Sequence, residues 1–223
     1  MKKLVRGNAP VCLARFKHGQ DNWTVIFQNN LTNDIWEKLS DMQHGYCAYC
    51  ECKLTEDNSK RHIEHFIQKS LDPTLTFSWD NLFGSCNNPN RCGKYKDESP
   101  VAKQVDLSKV CKPDIRDPGE LLIYLNSGKV RAKTGLDVLG NEIANNTITV
   151  FNLDGDSTLE NSRRAAIAGE KSLAAAYWEM LVTDDTGELA ELLELELTEA
   201  FTRIEQMEHS TALAHLWVYN EGF

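Results

Sequence analysis

The chain has 223 residues, of which 41% are hydrophobic and 26% are charged, as in ordinary soluble globular proteins. It contains no apolar run of the roughly 18 residues that a membrane span needs, and its basic start is not followed by an apolar segment of signal-peptide length. We therefore expect a cytoplasmic protein with no membrane partner. The net charge of −9 argues against a free-standing nucleic-acid-binding protein.

The charge is unevenly distributed along the sequence. Residues 1–112 contain 16 Lys and Arg against 13 Asp and Glu, a net charge of +3. Residues 113–223 contain 8 against 20, a net charge of −12. The first half is thus the one that suits contact with nucleic acid, and the acidic second half is expected to serve another purpose.

Residues 1–45 are predicted to form a helical lead-in. The clearest element is an amphipathic helix over Asn33 to Met42, with Thr32 or Asn33 as its cap and Gly45 at its end. Its apolar residues recur at spacings of three and four: Ile35, Trp36, Leu39 and Met42.

Four of the seven cysteines form two pairs, Cys47 with Cys50 and Cys86 with Cys92. Two thiolate pairs are the ligand set that a closed, tetrahedral structural zinc site requires. In a reducing compartment this spacing favours metal over disulfides, the alternative being that the four are small buried hydrophobic residues. The remaining three are assigned to that alternative: Cys12, Cys52 and Cys111.

The segment between the cysteine pairs is predicted to contain a strand and two loops. Arg61 to Ile67 is short, aromatic and β-branched, as expected of a strand. Leu71 to Thr76 contains a proline, and Cys86 to Cys92 (CNNPNRC) is rich in turn residues, so both are predicted to be loops. Residues 93–104 are predicted to form a short helix interrupted near Pro100.

A boundary between two parts of the chain is expected at Lys112 to Gly119, which holds two prolines and a glycine. The segment ELLIYLN-SG-KVRAK then predicts a β-hairpin with a Ser-Gly turn. Asn146 to Asn152 (NTITVFN) is β-branched and is predicted to form a further strand.

The remainder is predicted to be helical. Ser157 to Leu181 begins with a capping box of Ser157 and Glu160. A second helix is expected to start at Asp185 or Glu188 and to run through Met207, with apolar residues along one face. Its dense glutamates are either a solvated face or a docking surface for a basic partner.

Two adjacent residues between the cysteine pairs carry the candidate chemistry. An imidazole such as His65 can take a proton from water near neutral pH, and Glu64 offers a hard oxygen ligand to Mg²⁺. Neighbours in a regular strand point to opposite faces, so they can share a site only if the strand ends or bulges there. We expect that bend; the alternative is that His62 and Glu64 form the same-face pair.

The sequence from CAYC through HIEHF and SC to CGKYKD resembles the HNH nuclease family, whose ββα-metal module often lies on a four-cysteine zinc site. Within that family it looks like the HNH proteins of retron and Septu anti-phage systems, which accompany an ATPase subunit. Gly128, the NTITVFNLD segment, and Leu159 with Arg163 fit that group more loosely. Gln68 stands where the group usually has proline, a change expected to affect only the local backbone.

The resemblance implies roles for individual residues. His65 takes the general-base position, and Glu64 the acidic metal-ligand position. Asn81 matches the central Asn that steadies the loop and orients the base, and Lys96 matches a lysine that can contact a phosphate. The family's His or Asn after the last cysteine is Gly93 here. We expect Asp97 to replace this second metal ligand, with His62 in reserve.

The sequence therefore predicts an α+β fold, with a zinc-stabilised ββα-metal module and helical lead-in over residues 1–112 and a mainly helical region for partner docking over residues 113–223. The expected function is metal-dependent cleavage of DNA, in preference to RNA, as the effector nuclease of an anti-phage complex with an ATPase subunit. The expected cofactors are structural Zn²⁺ and catalytic Mg²⁺ or another divalent cation. The alternatives are a non-catalytic zinc-ribbon adaptor that binds nucleic acid, with a structural His65, and a Cys-based redox protein, which the lack of a βαβ context around CAYC disfavours.

Overall fold

The computed structural model describes residues 1–57 and 59–219. Residue 58 and residues 220–223, at the end of the predicted C-terminal region, lie outside the described residues. The helices are α1 (Thr24–Gln28), α2 (Thr32–Gln43), α3 (Cys92–Glu98), α4 (Val138–Phe151), α5 (Ser157–Thr183), α6 (Ala190–Ile204) and α7 (Ser210–Val218). The strands are β1 (Arg61–His65), β2 (Leu82–Cys86), β3 (Leu122–Tyr124) and β4 (Val130–Ala132). About half of the residues are helical, which agrees with the mixed helix and strand class expected.

The predicted helix of the lead-in is confirmed as α2, which buries its regularly spaced apolar residues. The predicted cap is wrong, because Leu31 is the cap residue and no side chain bonds the first turn. The helix ends where His44 and then Gly45 adopt left-handed backbone conformations, with φ of 55° and 78°.

Two strands and a helix form the segment that carries the cysteines. β1 pairs antiparallel with β2 in a register that runs from Arg61 opposite Cys86 to His65 opposite Leu82. Helix α3 follows β2 after a turn-rich loop and ends before Pro100, close to the predicted interruption. The two ends of β2 therefore lie beside different groups. Leu82 pairs with His65, next to Glu64, whereas Cys86 lies with the other three paired cysteines.

The predicted hairpin is confirmed as β3 and β4. Its turn includes Gly128, which has a φ of 87°. A side chain at this position would overlap the main-chain carbonyl of Glu160 in α5. Glycine is therefore required both by the backbone conformation and by the close approach of α5.

The strand predicted at Asn146 to Asn152 is wrong, since this segment is the second half of α4. Asp137 caps that helix by accepting a hydrogen bond from Gly140 N at 2.6 Å. Over its whole length the helix buries residues at helical spacing, namely Ile143, Ala144, Thr147, Val150 and Phe151. A buried face of this size outweighs the weak strand preference of a few β-branched residues.

The long C-terminal helix is confirmed as α5, but the capping box is not its cap. Asp156 caps it, accepting a hydrogen bond from Thr158 N at 2.9 Å. The second expected helix is α6, which starts after Leu189 and ends at Ile204. Helix α7 lies in the region predicted to be mainly helical, although no separate helix was expected there. None of the helices in the described ranges has the length and apolar character needed to cross a membrane.

The apolar core is continuous across the expected boundary at residue 112. Tyr49, between the first two cysteines, stacks on Phe151 of α4 with ring centroids 3.9 Å apart. Phe66, which directly follows β1, also packs against Phe151. The division into residues 1–112 and 113–223 stays a prediction, because packing between two parts does not show whether each folds alone.

Candidate metal centres and catalytic site

The four paired cysteines meet at one point, although they come from three different elements. Cys47 and Cys50 lie in the loop after α2, Cys86 ends β2 and Cys92 begins α3. All four are buried, and their sulfur atoms lie within 4.8 Å of one another. Sulfur atoms bound tetrahedrally at about 2.3 Å from Zn²⁺ are roughly 3.8 Å apart. The Cys50 to Cys86 sulfur distance is 3.8 Å, so this set fits zinc.

Electrostatics also favour a cation at this cluster. Burial, together with the neighbouring thiols, raises the pKa of Cys92 well above its ordinary value. Four thiolates crowded into one buried space would repel one another, and a bound cation removes that repulsion. The residues that would hold Zn²⁺ are therefore the four predicted ones.

Cys52 differs from the other two cysteines left out of the cluster. Its sulfur lies 3.3 Å from that of Cys50, and it is only partly buried. Cys12 and Cys111 are buried in the apolar core, as expected of small hydrophobic residues. Cys52 is thus outside the four-cysteine set, as predicted, and packs against the core, but it also borders the candidate zinc site.

The C-terminal region is bound to the loop that carries Cys47 and Cys50. His209 donates a hydrogen bond from Nδ1 to the main-chain carbonyl of Cys50 at 2.9 Å, and its Nε2 accepts one from Ser162 at 2.8 Å. Glu51 accepts hydrogen bonds from Ser210 Oγ at 2.9 Å and Thr211 N at 2.8 Å. The junction of α6 and α7 therefore holds the zinc loop, a contact that no sequence signal indicated.

Glu51 is also the ion-pair partner of the buried Met1 amino group, which in addition donates to the Tyr124 hydroxyl. Burial alone would raise the pKa of Glu51, but the Met1 ammonium and the Thr211 amide lower it to about 2. One carboxylate thus links the start of the chain, the zinc loop and α7.

Glu64 and His62 share a face of β1. Their side chains meet, with His62 Nε2 at 3.1 Å from Glu64 Oε2. The β1–β2 pairing runs without a bulge to His65, where the strand ends and the backbone bends at Phe66, as expected; the same-face pair of the alternative is also present. A side chain at position 93 would overlap Glu64 Oε2 and would lie 2.9 Å from His62 Nε2. The His62–Glu64 pair thus fills the space that a larger residue in place of Gly93 would need.

Lys96 is enclosed by this pair. Its side chain is 1% exposed, and its ammonium lies 2.9 Å from Glu64 Oε1, donates to the His65 main-chain carbonyl at 3.1 Å and pairs with Asp97. Burial alone would raise the pKa of Glu64, but Lys96 and His62 hold it below its usual value. The predicted contact between Lys96 and a phosphate is not supported by this position, because the ammonium group is already surrounded by protein acceptors.

Asp97, the expected replacement ligand, is the most exposed member of this cluster, with 39% of its side chain accessible. Its Oδ1 also accepts a hydrogen bond from Gln68 Nε2 at 2.7 Å. Burial and the nearby Glu64 raise its pKa. The expectation that Gln68 affects only the local backbone is wrong, because its side chain holds that of Asp97.

His65 points away from Glu64, into a contact with the lead-in. Its ring packs edge-on against Trp23, with centroids 4.5 Å apart, and Nε2 donates to the Thr76 carbonyl at 3.0 Å. This bond places the ring proton on Nε2, so Nδ1 carries the free lone pair. Burial, together with the charge of Lys69, lowers the pKa of His65 to about 4, which keeps the ring neutral near pH 7.

Asn81 is buried and closes the loop between β1 and β2. Its Oδ1 accepts from Ile67 N at 2.8 Å, and its Nδ2 donates to Ile67 O at 2.9 Å and to Leu75 O at 3.3 Å. These bonds fix the segment that also contains Thr76, the hydrogen-bond partner of His65. Asn81 therefore acts on the position of His65 through the loop.

Sequence reasoning singled out neither Trp23 nor Thr76, and it gave Lys69 no role. Trp23 and Thr76 come next to His65 only through folding of distant segments, and no motif marks them. Lys69 had a signal, since it is the last residue of HFIQK, four positions after His65.

No protein-family model matches the sequence. Among curated proteins, the chain is similar to the Septu protein PtuB of Bacillus thuringiensis, with 30% identity over 149 residues. The alignment covers 62% of this chain and 54% of that protein, so the chain spans about half the length of this relative. The similarity supports the Septu part of the expected resemblance. The assignment to HNH nucleases stays a prediction.

Proposed function

We propose that this chain is an HNH-type endonuclease that hydrolyses phosphodiester bonds in DNA. The observation that carries the proposal is the arrangement around β1, β2 and α3. Four cysteines bring β2 and α3 together with the loop after α2, and a neutral His65 with a free Nδ1 lies at the end of β1, next in sequence to a buried carboxylate. A structural zinc site alone would need neither this imidazole nor the carboxylate beside it.

In this proposal His65 Nδ1 accepts the proton of the attacking water while the new phosphorus–oxygen bond forms. One ester oxygen leaves and takes a proton from solvent, so that one water is consumed for each bond cleaved. Asn81 keeps Thr76 and thus the His65 ring in place. A bound divalent cation would neutralise charge on the phosphate and on the leaving oxygen.

The residues that would hold this cation are Glu64 with His62 or Asp97. The donor set fits a divalent cation in chemical type, because carboxylate oxygens suit Mg²⁺ and Mn²⁺ and imidazole suits transition metals. His62 already lies against Glu64 in the space beside Gly93, whereas Asp97 is bonded to Gln68 and Lys96. We therefore favour His62 as the second ligand, and Asp97 as a residue that holds Lys96.

The wider role proposed is anti-phage defence, in a complex with an ATPase subunit. The similarity to a Septu protein supports this role. The net charge of +3 over residues 1–112 predicts weak intrinsic affinity for DNA, because each neutralised phosphate contributes through the release of counterions. A partner that also binds DNA would supply the missing affinity.

The second candidate is a non-catalytic adaptor that binds nucleic acid through its zinc module. One observation favours it: Glu64 is 1% exposed and is already neutralised by Lys96, as in a structural ion pair. An adaptor needs no added divalent cation and leaves its ligand uncut.

The test is to incubate the zinc-loaded chain with plasmid DNA, single-stranded DNA and RNA. Each incubation is run with and without added Mg²⁺ or Mn²⁺, and with and without the co-purified partner. The proposal expects cation-dependent cleavage of DNA that is lost in Glu64→Gln. Binding without cleavage under every condition would support the adaptor instead. His62→Ala and Asp97→Asn then separate the two ligand assignments, since only the first is expected to raise the cation concentration needed for cleavage.

A further inference from the structure

Lys69 lies close to the candidate base. It differs from Lys96 in the two properties that decide phosphate binding, namely the exposure of its side chain and the ion pairs of its ammonium group. It is exposed, and its ammonium lies over the ring of Trp23, 5.7 Å from the ring centroid. Among the described residues, Asp97 and Glu64 are the acidic groups whose charge acts on it, and neither forms an ion pair with it. Its positive charge is therefore available to a ligand.

Lys96, by contrast, uses its ammonium within the protein. Its partners are Glu64, Asp97 and the His65 carbonyl, and its side chain is 1% exposed. To reach a phosphate, it would have to leave two carboxylates and expose Glu64 without a counter-ion. Removing one partner of such a buried pair is strongly unfavourable.

A groove of about 640 Å³ lies between Lys69 and the turn before α1. Thr76 and Trp23 line it, and both also touch the ring of His65. Its volume lies within the range of sites that hold small ligands, and one nucleotide of a strand is of that size. The groove therefore lies beside two residues that contact the candidate base.

The groove is also lined by polar side chains, among them His18, Gln20 and Asn22. Amide and imidazole groups of this kind bond to phosphate and sugar oxygens. Asp21 is the acidic residue that lines it, and its carboxylate accepts a hydrogen bond from Lys17 N at 2.9 Å. Lys69 lines the same groove and brings a positive charge to it.

We propose that Lys69, and not Lys96, binds a backbone phosphate of the DNA strand that enters this groove and reaches His65. The inference rests on the proposed nuclease function and adds its phosphate-binding residue and the path of the substrate. Lysine acts here as a compact point charge on a flexible stem, which suits a phosphate without regard to base sequence.

The experiment measures binding of a labelled DNA duplex to the zinc-loaded full chain, with its co-purified partner and without added divalent cation, over a range of NaCl concentrations. Lys69→Ala is expected to weaken binding about tenfold. It should also make the slope of log K against log salt shallower by about one, as loss of one phosphate contact requires. Lys69→Arg, which keeps the charge, should retain the parent slope.

Lys103→Ala is the matched control, because Lys103 is exposed but does not line the groove. It should leave the affinity and the slope unchanged. Equal slopes for Lys69→Ala and the parent, with DNA still bound and cleaved by the parent, would overturn the role of Lys69 alone. A parent complex that neither binds nor cleaves DNA would overturn the proposed function and this inference together.

Discussion

The segment that carries the candidate zinc site and the C-terminal helices are built in different ways. In residues 47–97 buried polar groups such as Glu64, Lys96 and Asn81 are fixed by specific hydrogen bonds and ion pairs. In α5 to α7 the buried residues recur at helical spacing and are mainly apolar, with Arg163 and Glu170 of α5 as buried charged exceptions. Polar residues in the first region are therefore hard to replace, while the surface of the second can change at little cost.

The two regions nevertheless depend on each other through the contact between Glu51 and the start of α7. If a bound metal holds the first region and helix packing holds the second, then substitutions in the two regions should affect stability and binding by different amounts. Four predictions test that contrast, in order of decreasing effect.

The largest effect is expected from loss of the zinc ligands. Cys47→Ser should abolish zinc binding and the cooperative unfolding of residues 47–97, because a structural zinc site contributes roughly 10–16 kcal/mol to folding. Metal analysis and thermal unfolding measure this. Cys52→Ser is the control, since Cys52 lies beside the cluster but outside the four. Unaltered melting of Cys47→Ser would contradict the assignment.

A smaller effect is expected where the two regions meet. Glu51→Gln should lower the free energy of unfolding by about 3–5 kcal/mol, since it leaves the Met1 ammonium buried without its counter-ion. Urea unfolding measures the loss, and the exposed Glu56→Gln is the control. A change within about 0.5 kcal/mol, the usual size for surface substitutions, would mean that the contact does not hold the regions together.

The pH dependence of stability should include a contribution from His215 in α7. Burial, together with the Met1 ammonium, lowers the pKa of His215 in α7 to about 4. Between about 6.5 and 4 the unfolded chain then binds the proton that the folded chain excludes, so stability falls as the pH is lowered, by up to about 1.4 kcal/mol per pH unit. His215→Asn keeps a group that can accept from Tyr124 N and should show a shallower dependence in urea unfolding at each pH. The same slope as the parent would contradict the assignment.

The smallest effect is expected on the acidic surface of α6, the proposed docking site for the ATPase subunit. Glu191 and Glu194 are exposed, and Leu192 and Leu195 lie exposed beside them. Replacing both glutamates by Gln should weaken capture of a co-expressed ATPase subunit by about two- to tenfold at low salt, because exposed charge pairs contribute about 0.2–1 kcal/mol each. Added salt should reduce the difference. Equal capture by parent and variant at low salt would place the docking surface elsewhere.

Substitutions test this surface better than truncation does. Deleting the residues after Asp156 would also remove His209 and the residues that bind Glu51. A truncated chain would then lose partner binding through damage to the zinc loop, whatever the role of α6.

The same contrast explains what could be predicted from the sequence. The meeting of the four cysteines was predicted correctly because their paired spacing is typical of a single metal site, and α2 and α5 because their patterns are long. The error at α4 arose because a β-branched stretch was judged without the apolar residues that precede it. The contacts of His65 with Trp23 and Thr76 join residues far apart in the sequence, and no local pattern encodes them.

The orientation of Glu64 and His65 was also beyond the sequence. The motif places the two residues next to each other, but only the strand register shows that His62 and Glu64 share a face. Likewise, Lys96 and Lys69 are indistinguishable as residue types. Their burial decides which one is available to a substrate.

The most direct test of the central claim is the rate of DNA cleavage by His65→Ala, in the presence of the divalent cation and the partner. His44→Asn is the matched control, because His44 is exposed and Asn tolerates its left-handed conformation. We predict that His65→Ala keeps the zinc content and folded structure of the parent and loses cleavage by about a hundred- to ten-thousand-fold, as loss of a general base requires. Cleavage within a few-fold of the parent would contradict the account and would move the role of base to His62.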